Sequence, residues 1–209
     1  MLLKIFIYGI ACMILTGKED LRVQKTISAI KKAFETILSK KNFEDITVKE
    51  LSARAKINKK TFYTYYPTLG HLLAELQEST ATEFIGRVKK YRLPEDLDKV
   101  TREFFLYTTE QGPVYEKITC LPSFATIRNP MIDKVMTNTW GESKSFQLIP
   151  TDYQAIYLGY VTGVSMDIYK KWVAGGKKIP LEDIIMLTNT LLLKGSDGFL
   201  KLMQQRSKK

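Results

Sequence analysis

The sequence has one histidine, His71, and only two cysteines, Cys12 and Cys120. Catalytic triads and His-dependent metal sites need several converging ligands or a placed base, so a single histidine excludes most of them. Two cysteines so far apart exclude a disulfide framework and a cysteine-based zinc site, and they fit a reducing compartment. Glycine-rich phosphate loops and carboxylate clusters with metal-ligand spacing are also missing. We therefore predict a cytoplasmic protein that is not an enzyme and needs neither a cofactor nor a metal.

The sequence also lacks an apolar run long enough to cross a bilayer comfortably. The longest run, residues 2–15, has 14 residues including Lys4, whereas a membrane-spanning helix needs about 20. Four interpretations of this leader (residues 1–17) stay open: a true translation start at Met13, an extra packed helix, a signal peptide or a membrane anchor. The first two fit better, because no convincing small-residue cleavage site follows the run.

Positive charge is abundant and unevenly distributed. The chain of 209 residues carries a net charge of +10, and residues 18–92 hold an excess of seven cations against three in the rest. A basic excess of this size indicates an anionic partner, either nucleic acid or a membrane surface, or else a merely lysine-rich surface. The position of the excess draws attention to the first half of the chain.

Apolar residues recur at helical spacing almost throughout, and no strand-like alternation of useful length is found. We predict an all-α protein with an N-terminal three-helix DNA-binding domain (residues 18–78) and a C-terminal ligand-binding and dimerisation domain (residues 79–209). Helices are predicted near 48–55 and 59–65 in the first domain, and near 97–109, 131–140, 152–173 and 181–194 in the second. Pro122, Pro130 and Pro150 divide the middle of the chain, and residues 141–149 are predicted to form a loop.

The two short helices, joined by a three-residue turn and flanked by supporting helices, are typical of a helix-turn-helix. Thr47 and Glu50 have the spacing of a capping box, and Asn58 is a good N-cap for the second helix. Leu51, Ile57 and Phe62 face inward, so the first residues of the second helix are free to meet base edges in the major groove. The predicted DNA-binding residues are Thr47, Lys56, Asn58, Lys59, Lys60, Thr61, Tyr63, Tyr65 and His71, of which His71 is either a phosphate contact or an exposed bystander.

The stretch ITVKELSARAKINKKTFYTYYPTLGHLL resembles the DNA-binding domain of the TetR family of repressors. The matching residues are Thr47, Ala53, Ala55, Ile57, Asn58, Lys59, Thr61, Phe62, Tyr63, Tyr66 and Pro67, and the helix upstream also fits at Ile27, Ile30, Ala33 and Phe34. Three positions depart from the family pattern. Lys56 replaces the usual turn glycine, Lys60 replaces a glycine of the recognition helix, and Leu69 replaces a common lysine.

The resemblance implies a homodimer that binds a palindromic DNA operator and is released by a small-molecule effector. The implied dimer interface comprises Tyr157, Tyr160, Val164, Ile168, Trp172, Ile184, Leu187 and Leu191 on the last two helices. The candidate effector pocket comprises Phe84, Phe104, Phe105, Tyr107, Phe124, Met136, Trp140 and Tyr160, which indicates an apolar or aromatic effector. The three departures leave an alternative open, a TetR-like dimer that acts through protein–protein interaction rather than operator binding.

Overall fold

A computed structural model describes residues 4–7, 10–13 and 20–206. The chain divides into two compact units, Met1–Thr80 (the N-terminal unit) and Ala81–Lys209 (the C-terminal unit). Residues 20–206 are helical with short connections, which confirms the predicted all-α class. The boundary between the units falls inside one long helix, Leu69–Val88. Among the described residues, no helix is long and apolar enough to cross a membrane.

The leader contains a short antiparallel hairpin. Strand β1 (Lys4–Ile7) pairs with β2 (Ile10–Met13) in the register Lys4↔Met13 to Ile7↔Ile10. An extra packed helix, one of the alternatives for this segment, is therefore wrong for these residues. The β-branched and aromatic residues of the two strands favour extended backbone.

The N-terminal unit is built from four helices, the last of which continues into the C-terminal unit: α1 (Leu21–Leu38), α2 (Val48–Arg54), α3 (Lys59–Tyr65) and α4 (Leu69–Val88). A 3₁₀ turn (Phe43–Asp45) connects α1 to α2. The apolar face of α1 is buried at Ile27, Ile30 and Phe34, whose spacing puts them on one side of the helix. Leu51 of α2 and Phe62 of α3 are also fully buried, so each short helix is held by an apolar anchor.

Six further helices lie in the described part of the C-terminal unit: α5 (Leu97–Glu110), α6 (Pro113–Cys120), α7 (Ala125–Trp140), α8 (Lys144–Gln147), α9 (Thr151–Ala174) and α10 (Leu181–Arg206). A 3₁₀ turn (Pro122–Phe124) precedes α7. Two sequence predictions are wrong here. Pro130 lies inside α7 rather than dividing it, because an exposed proline early in a helix removes a single backbone hydrogen bond. The loop predicted for residues 141–149 contains α8, which Ser143 caps by accepting from Phe146 N–H.

Aromatic side chains form a large part of the described core of the C-terminal unit. One cluster joins Trp140, Phe146 and Tyr157, with ring centroids 4.9 Å apart for Trp140–Phe146 and 5.3 Å for Trp140–Tyr157. A second cluster joins Phe105, Tyr169 and Trp172 to α10, and a third lies around Phe84 and Tyr107. These rings meet edge-on or tilted, which is the arrangement that aromatic pairs prefer. The core around α9 therefore contains several ring contacts, to which α10 adds the aliphatic residues Ile184, Ile185 and Leu192.

Candidate nucleic-acid interface

The first helix of the predicted helix-turn-helix begins at a threonine cap. Thr47 Oγ1 accepts a hydrogen bond from Glu50 N–H at 3.2 Å, which confirms one half of the predicted capping box. The Glu50 carboxylate turns instead to Lys41 Nζ, at 2.5 Å. The acidic side chain of α2 is therefore paired with a lysine that follows α1, and among the described residues it forms no ion pair with the cations of α2 and α3.

The turn between α2 and α3 has a lysine in the left-handed region. Lys56 has φ 55°, its N–H donates to Ala53 O at 3.2 Å, and Ile57 N–H donates to Ser52 O at 3.0 Å. This pair of bonds is a Schellman motif, in which glycine is the preferred residue because it has no Cβ. The departure from the family pattern at Lys56 therefore leaves the turn geometry intact, at the expense of backbone strain of about 1–2 kcal/mol.

The second helix, α3, presents its first turn to solvent. Asn58 Oδ1 accepts from Lys60 N–H at 3.0 Å, as predicted for the N-cap. Phe62 and Tyr66 are buried and fix the inner face, whereas Lys59 and Lys60 are exposed and Thr61 is half-buried. Tyr63 is 54% exposed and packs edge-on against Phe62, with 5.5 Å between the ring centroids. Lys59, Lys60 and Tyr63 are thus both exposed and among the residues that the sequence predicts to contact DNA.

Five cations surround this exposed surface: Lys49, Arg54, Lys56, Lys59 and Lys60. All five are exposed, and within the described part of the chain none forms an ion pair with a carboxylate. Several cations of the C-terminal unit, in contrast, are paired, as Arg87 is with Glu110 and Arg102 is with Glu182. Positive charge that is uncompensated within the protein is available to compensate phosphate.

A partly buried ion pair holds α1 against α4 in the N-terminal unit. Lys31 Nζ lies 2.6 Å from Glu75 Oε1, and the Glu75 side chain is almost fully buried. Its second oxygen, Oε2, has no hydrogen-bond partner in the described structure. On the same face of α1, burial raises the pKa of Glu35, and Lys31 opposes that rise. The pair fixes the long helix to the frame that carries α2 and α3.

The remaining predicted contact residues lie around this surface with different exposures. Tyr65 is half-buried, and Thr47 is exposed. His71 is half-buried at the start of α4, and its Nδ1 lies 2.8 Å from Thr68 Oγ1. Because Thr68 Oγ1 also accepts from His71 N–H at 3.3 Å, the two residues cap α4 together. His71 therefore has a structural role in the cap, and its other ring nitrogen is left for any phosphate contact.

The residues predicted to line an effector pocket fall largely into three adjoining clusters of the C-terminal unit. Phe84, Tyr107 and Met136 belong to the cluster of α4, α5 and α7. Phe105 packs on Tyr169 and Trp172, while Trp140 packs on Phe146 and Tyr157. Phe124 is buried beside Lys117, whose Nζ lies 5.4 Å from the ring centroid, and Phe104 bridges two clusters. Most of this set thus packs ring against ring, which sequence periodicity does not distinguish from a pocket wall.

One member of that set carries a polar network. Tyr107 Oη donates to Glu83 Oε2 at 3.2 Å, and the Arg87 guanidinium lies 4.9 Å from the centre of the Tyr107 ring. Burial and the adjacent Glu83 carboxylate raise the pKa of the Tyr107 hydroxyl. Arg87 in turn pairs with Glu110 at 2.5 Å. The C-terminal part of α4 is therefore joined to α5 by hydrogen bonds and charge as well as by apolar packing.

Three of the eight predicted dimer residues, Tyr157, Trp172 and Ile184, are buried in the core of the C-terminal unit. Tyr160 is half-buried, and its Oη donates to Leu191 O at 3.0 Å, lying over Gly195. The predicted dimer interface as a whole stays a prediction. Val164 and Ile168 are half-buried, and Leu187 and Leu191 are exposed.

The structure adds two exposed apolar residues that the sequence prediction missed, Ile156 on α9 and Met186 on α10. Together with Leu187 and Leu191 they are the exposed large apolar residues of α9 and α10 in the described part of the chain, and this set is called here the α9–α10 face. Ile156 directly precedes the buried Tyr157 in α9. Because neighbouring helical residues point about 100° apart, burial of Tyr157 turns Ile156 toward another side of the helix, and this offset is the sequence signal that could have found it. Helical periodicity gives the spacing of apolar residues on α9 and α10, but it does not say which of them pack against the rest of the protein and which stay exposed.

Comparison with known proteins identifies the fold. No family model and no curated protein matches the sequence. Among solved structures, a TetR transcriptional regulator from Streptococcus agalactiae 2603V superposes with a TM-score of 0.62 at 18% identity, covering 82% of this chain and 95% of that one. A tetR-family regulator from Streptomyces coelicolor gives 0.56 at 16% identity, covering 88% and 90%. The regulator FadR from Bacillus subtilis, solved with stearoyl-CoA, gives 0.54 at 19% identity, covering 79% and 95%. The chain thus has the fold of TetR-type regulators, as the resemblance implied.

Proposed function

We propose that this protein is a DNA-binding transcription regulator that acts as a homodimer on a palindromic operator. The observation that carries the proposal is the surface of α2, the turn and α3, where five exposed cations have no acidic partner in the described structure. Buried Leu51 and Phe62 hold the two helices rigidly, so the cations and Tyr63 are presented in a fixed geometry. A rigid frame with uncompensated positive charge is what phosphate positioning and base readout require.

Dimer formation is supported by the α9–α10 face. A two-fold interface would bury Ile156, Met186, Leu187 and Leu191 against the same residues of a second copy. Each helix-turn-helix of the dimer would then meet one half-site, and the half-site centres would lie about 34–36 Å apart. We therefore expect the operator to be an inverted repeat with that spacing.

The third part of the proposal is that a small-molecule effector releases the protein from its operator. A regulator that is released from DNA in this way acts most simply as a repressor. Its support is the aromatic and methionine-rich interior of the C-terminal unit, together with the polar network that ties α4 to α5. The B. subtilis regulator of the same fold was solved with stearoyl-CoA. A long-chain acyl-CoA is accordingly the first effector to add to the protein–DNA complex, with loss of the complex as the expected result.

Selection of bound duplexes from a random pool tests the central proposal. We expect an inverted repeat to emerge, and binding of the selected duplex to weaken steeply with salt because several phosphates are neutralised. If no duplex is bound even at low salt, the function is not operator binding, and a TetR-like dimer that acts on another protein becomes the better interpretation. The control is the variant Lys59→Glu/Lys60→Glu, which should lose binding to every duplex.

A further inference from the structure

An open groove of about 570 Å³ lies beside the helix-turn-helix, within the N-terminal unit. One wall is the beginning of α1, and the other is the turn that joins α2 to α3. We call it the α1–turn groove; it is lined by Asp20, Leu21, Arg22, Lys25, Thr26, Ala29, Ala55 and Ile57. The groove thus brings a part of the chain that the sequence prediction assigned only a supporting role next to the recognition element.

The groove is basic at its rim. Arg22 and Lys25 are exposed, and neither forms an ion pair in the described part of the chain. They stand three residues apart on α1, so their side chains start about 5–6 Å from each other on one face. Exposed Lys56 is the chain neighbour of two residues of the opposite wall, Ala55 and Ile57. Among the described lining residues the one acid is Asp20, which caps α1 by accepting from Arg22 N–H at 2.7 Å.

Four of the eight described lining residues of the groove are apolar. They are Leu21, which is 63% exposed, and Ala29, Ala55 and Ile57. Thr26 is the remaining polar lining residue, and its hydroxyl donates to Arg22 O at 2.8 Å, within α1 itself. Exposed cations beside apolar lining residues suit a nucleic-acid backbone, whose phosphate charge they can neutralise.

From this juxtaposition we infer that the α1–turn groove binds the DNA backbone, so that Arg22 and Lys25 contact phosphates flanking the segment read by α3. The inference rests on the proposed function and extends it, because it makes α1 a part of the DNA interface. Continuity supports it: the turn that forms one wall leads directly into α3. Charge supports it as well, since the lining and Lys56 together bring three cations against one acid.

Salt dependence of duplex binding by the full-length protein tests the inference. Each phosphate contact contributes about 0.9 to the slope of log K against log salt, which is about eightfold in affinity at 0.1 M salt. Arg22→Gln/Lys25→Gln should therefore lower the slope by about 1.8 and weaken binding about 60-fold at 0.1 M salt. Lys32→Gln/Lys40→Gln is the matched control, because it removes two exposed cations of the same unit from positions outside the groove. It should leave the slope unchanged.

Two further variants separate charge from folding. Arg22→Lys/Lys25→Arg keeps both charges and should keep the slope. Asp20→Asn keeps the helix cap, since asparagine caps as well as aspartate, and should tighten binding by removing repulsion between Asp20 and phosphate. The inference is overturned if the glutamine variant and its control lose the same slope, or if neither loses any. Failure of the wild-type protein to bind any duplex would instead refute the proposed function itself.

Discussion

Replacing Lys56 by glycine should stabilise the helix-turn-helix and, at the same time, weaken DNA binding. Lys56 holds φ 55° in the Schellman turn that ends α2, and its side chain is exposed without an ion pair in the described structure. The backbone strain and the charge therefore belong to the same residue, but the strain affects the stability of the turn and the charge affects DNA binding. One substitution is expected to move the two in opposite directions.

The size of the stability effect follows from two opposing contributions. Left-handed backbone costs a residue with a Cβ about 1–2 kcal/mol, which glycine avoids. Glycine in turn makes the unfolded chain more flexible, at about 0.4–1 kcal/mol. We expect a net gain of about 0.5–1 kcal/mol, equivalent to a two- to fivefold slower opening of the turn by local unfolding.

Hydrogen exchange is the suitable assay, because both tryptophans, Trp140 and Trp172, lie in the C-terminal unit and do not report on the turn. The amide of Ile57, which donates to Ser52 O, should exchange two- to fivefold more slowly in Lys56→Gly. Lys56→Ala is the control: it keeps the strain and removes the charge, so exchange should stay as in the wild type. Both variants should bind duplex about eightfold more weakly at 0.1 M salt if Lys56 contacts a phosphate. Equal protection in the glycine and alanine variants would refute the assignment of strain to this residue.

Three other changes test separate parts of the structure. Lys60→Ala should cost about 1–3 kcal/mol on the selected operator and relax one base position if Lys60 contacts a base, whereas a uniform loss over all duplexes would identify a phosphate contact. Lys31→Met leaves the buried Glu75 carboxylate without its ion-pair partner and should lower the free energy of unfolding of the N-terminal unit by about 3 kcal/mol, measured in urea. The double variant Lys31→Met/Glu75→Leu should recover most of this loss of stability. A double variant that is less stable than Lys31→Met would contradict the role given to the ion pair. Leu191→Asp should give a monomer by light scattering, whereas Leu148→Asp, at an 84% exposed position outside α9 and α10, should leave the dimer intact.

The position of the helix-turn-helix was determined by local signals in the sequence. Thr47 and Asn58 cap the two short helices by bonding backbone groups only two or three residues away. Pro67 and the buried anchor Phe62 likewise act within a few residues of themselves. Because caps, turns and short-range periodicity are encoded in neighbouring residues, the bounds of α3 agree with the prediction and those of α2 differ by one residue.

The choice between faces of the long helices was decided only by tertiary structure. Periodicity marked Tyr157 and Trp172 as apolar, but it did not say whether they meet a partner or their own core, where the structure places them. The same holds for the α1–turn groove, whose walls are about thirty residues apart in sequence. The spacing of apolar or basic residues along a helix is the same whether their side chains meet the protein's own core, solvent or a partner. What it meets depends on which distant element packs against it, and no spacing within one helix carries that information.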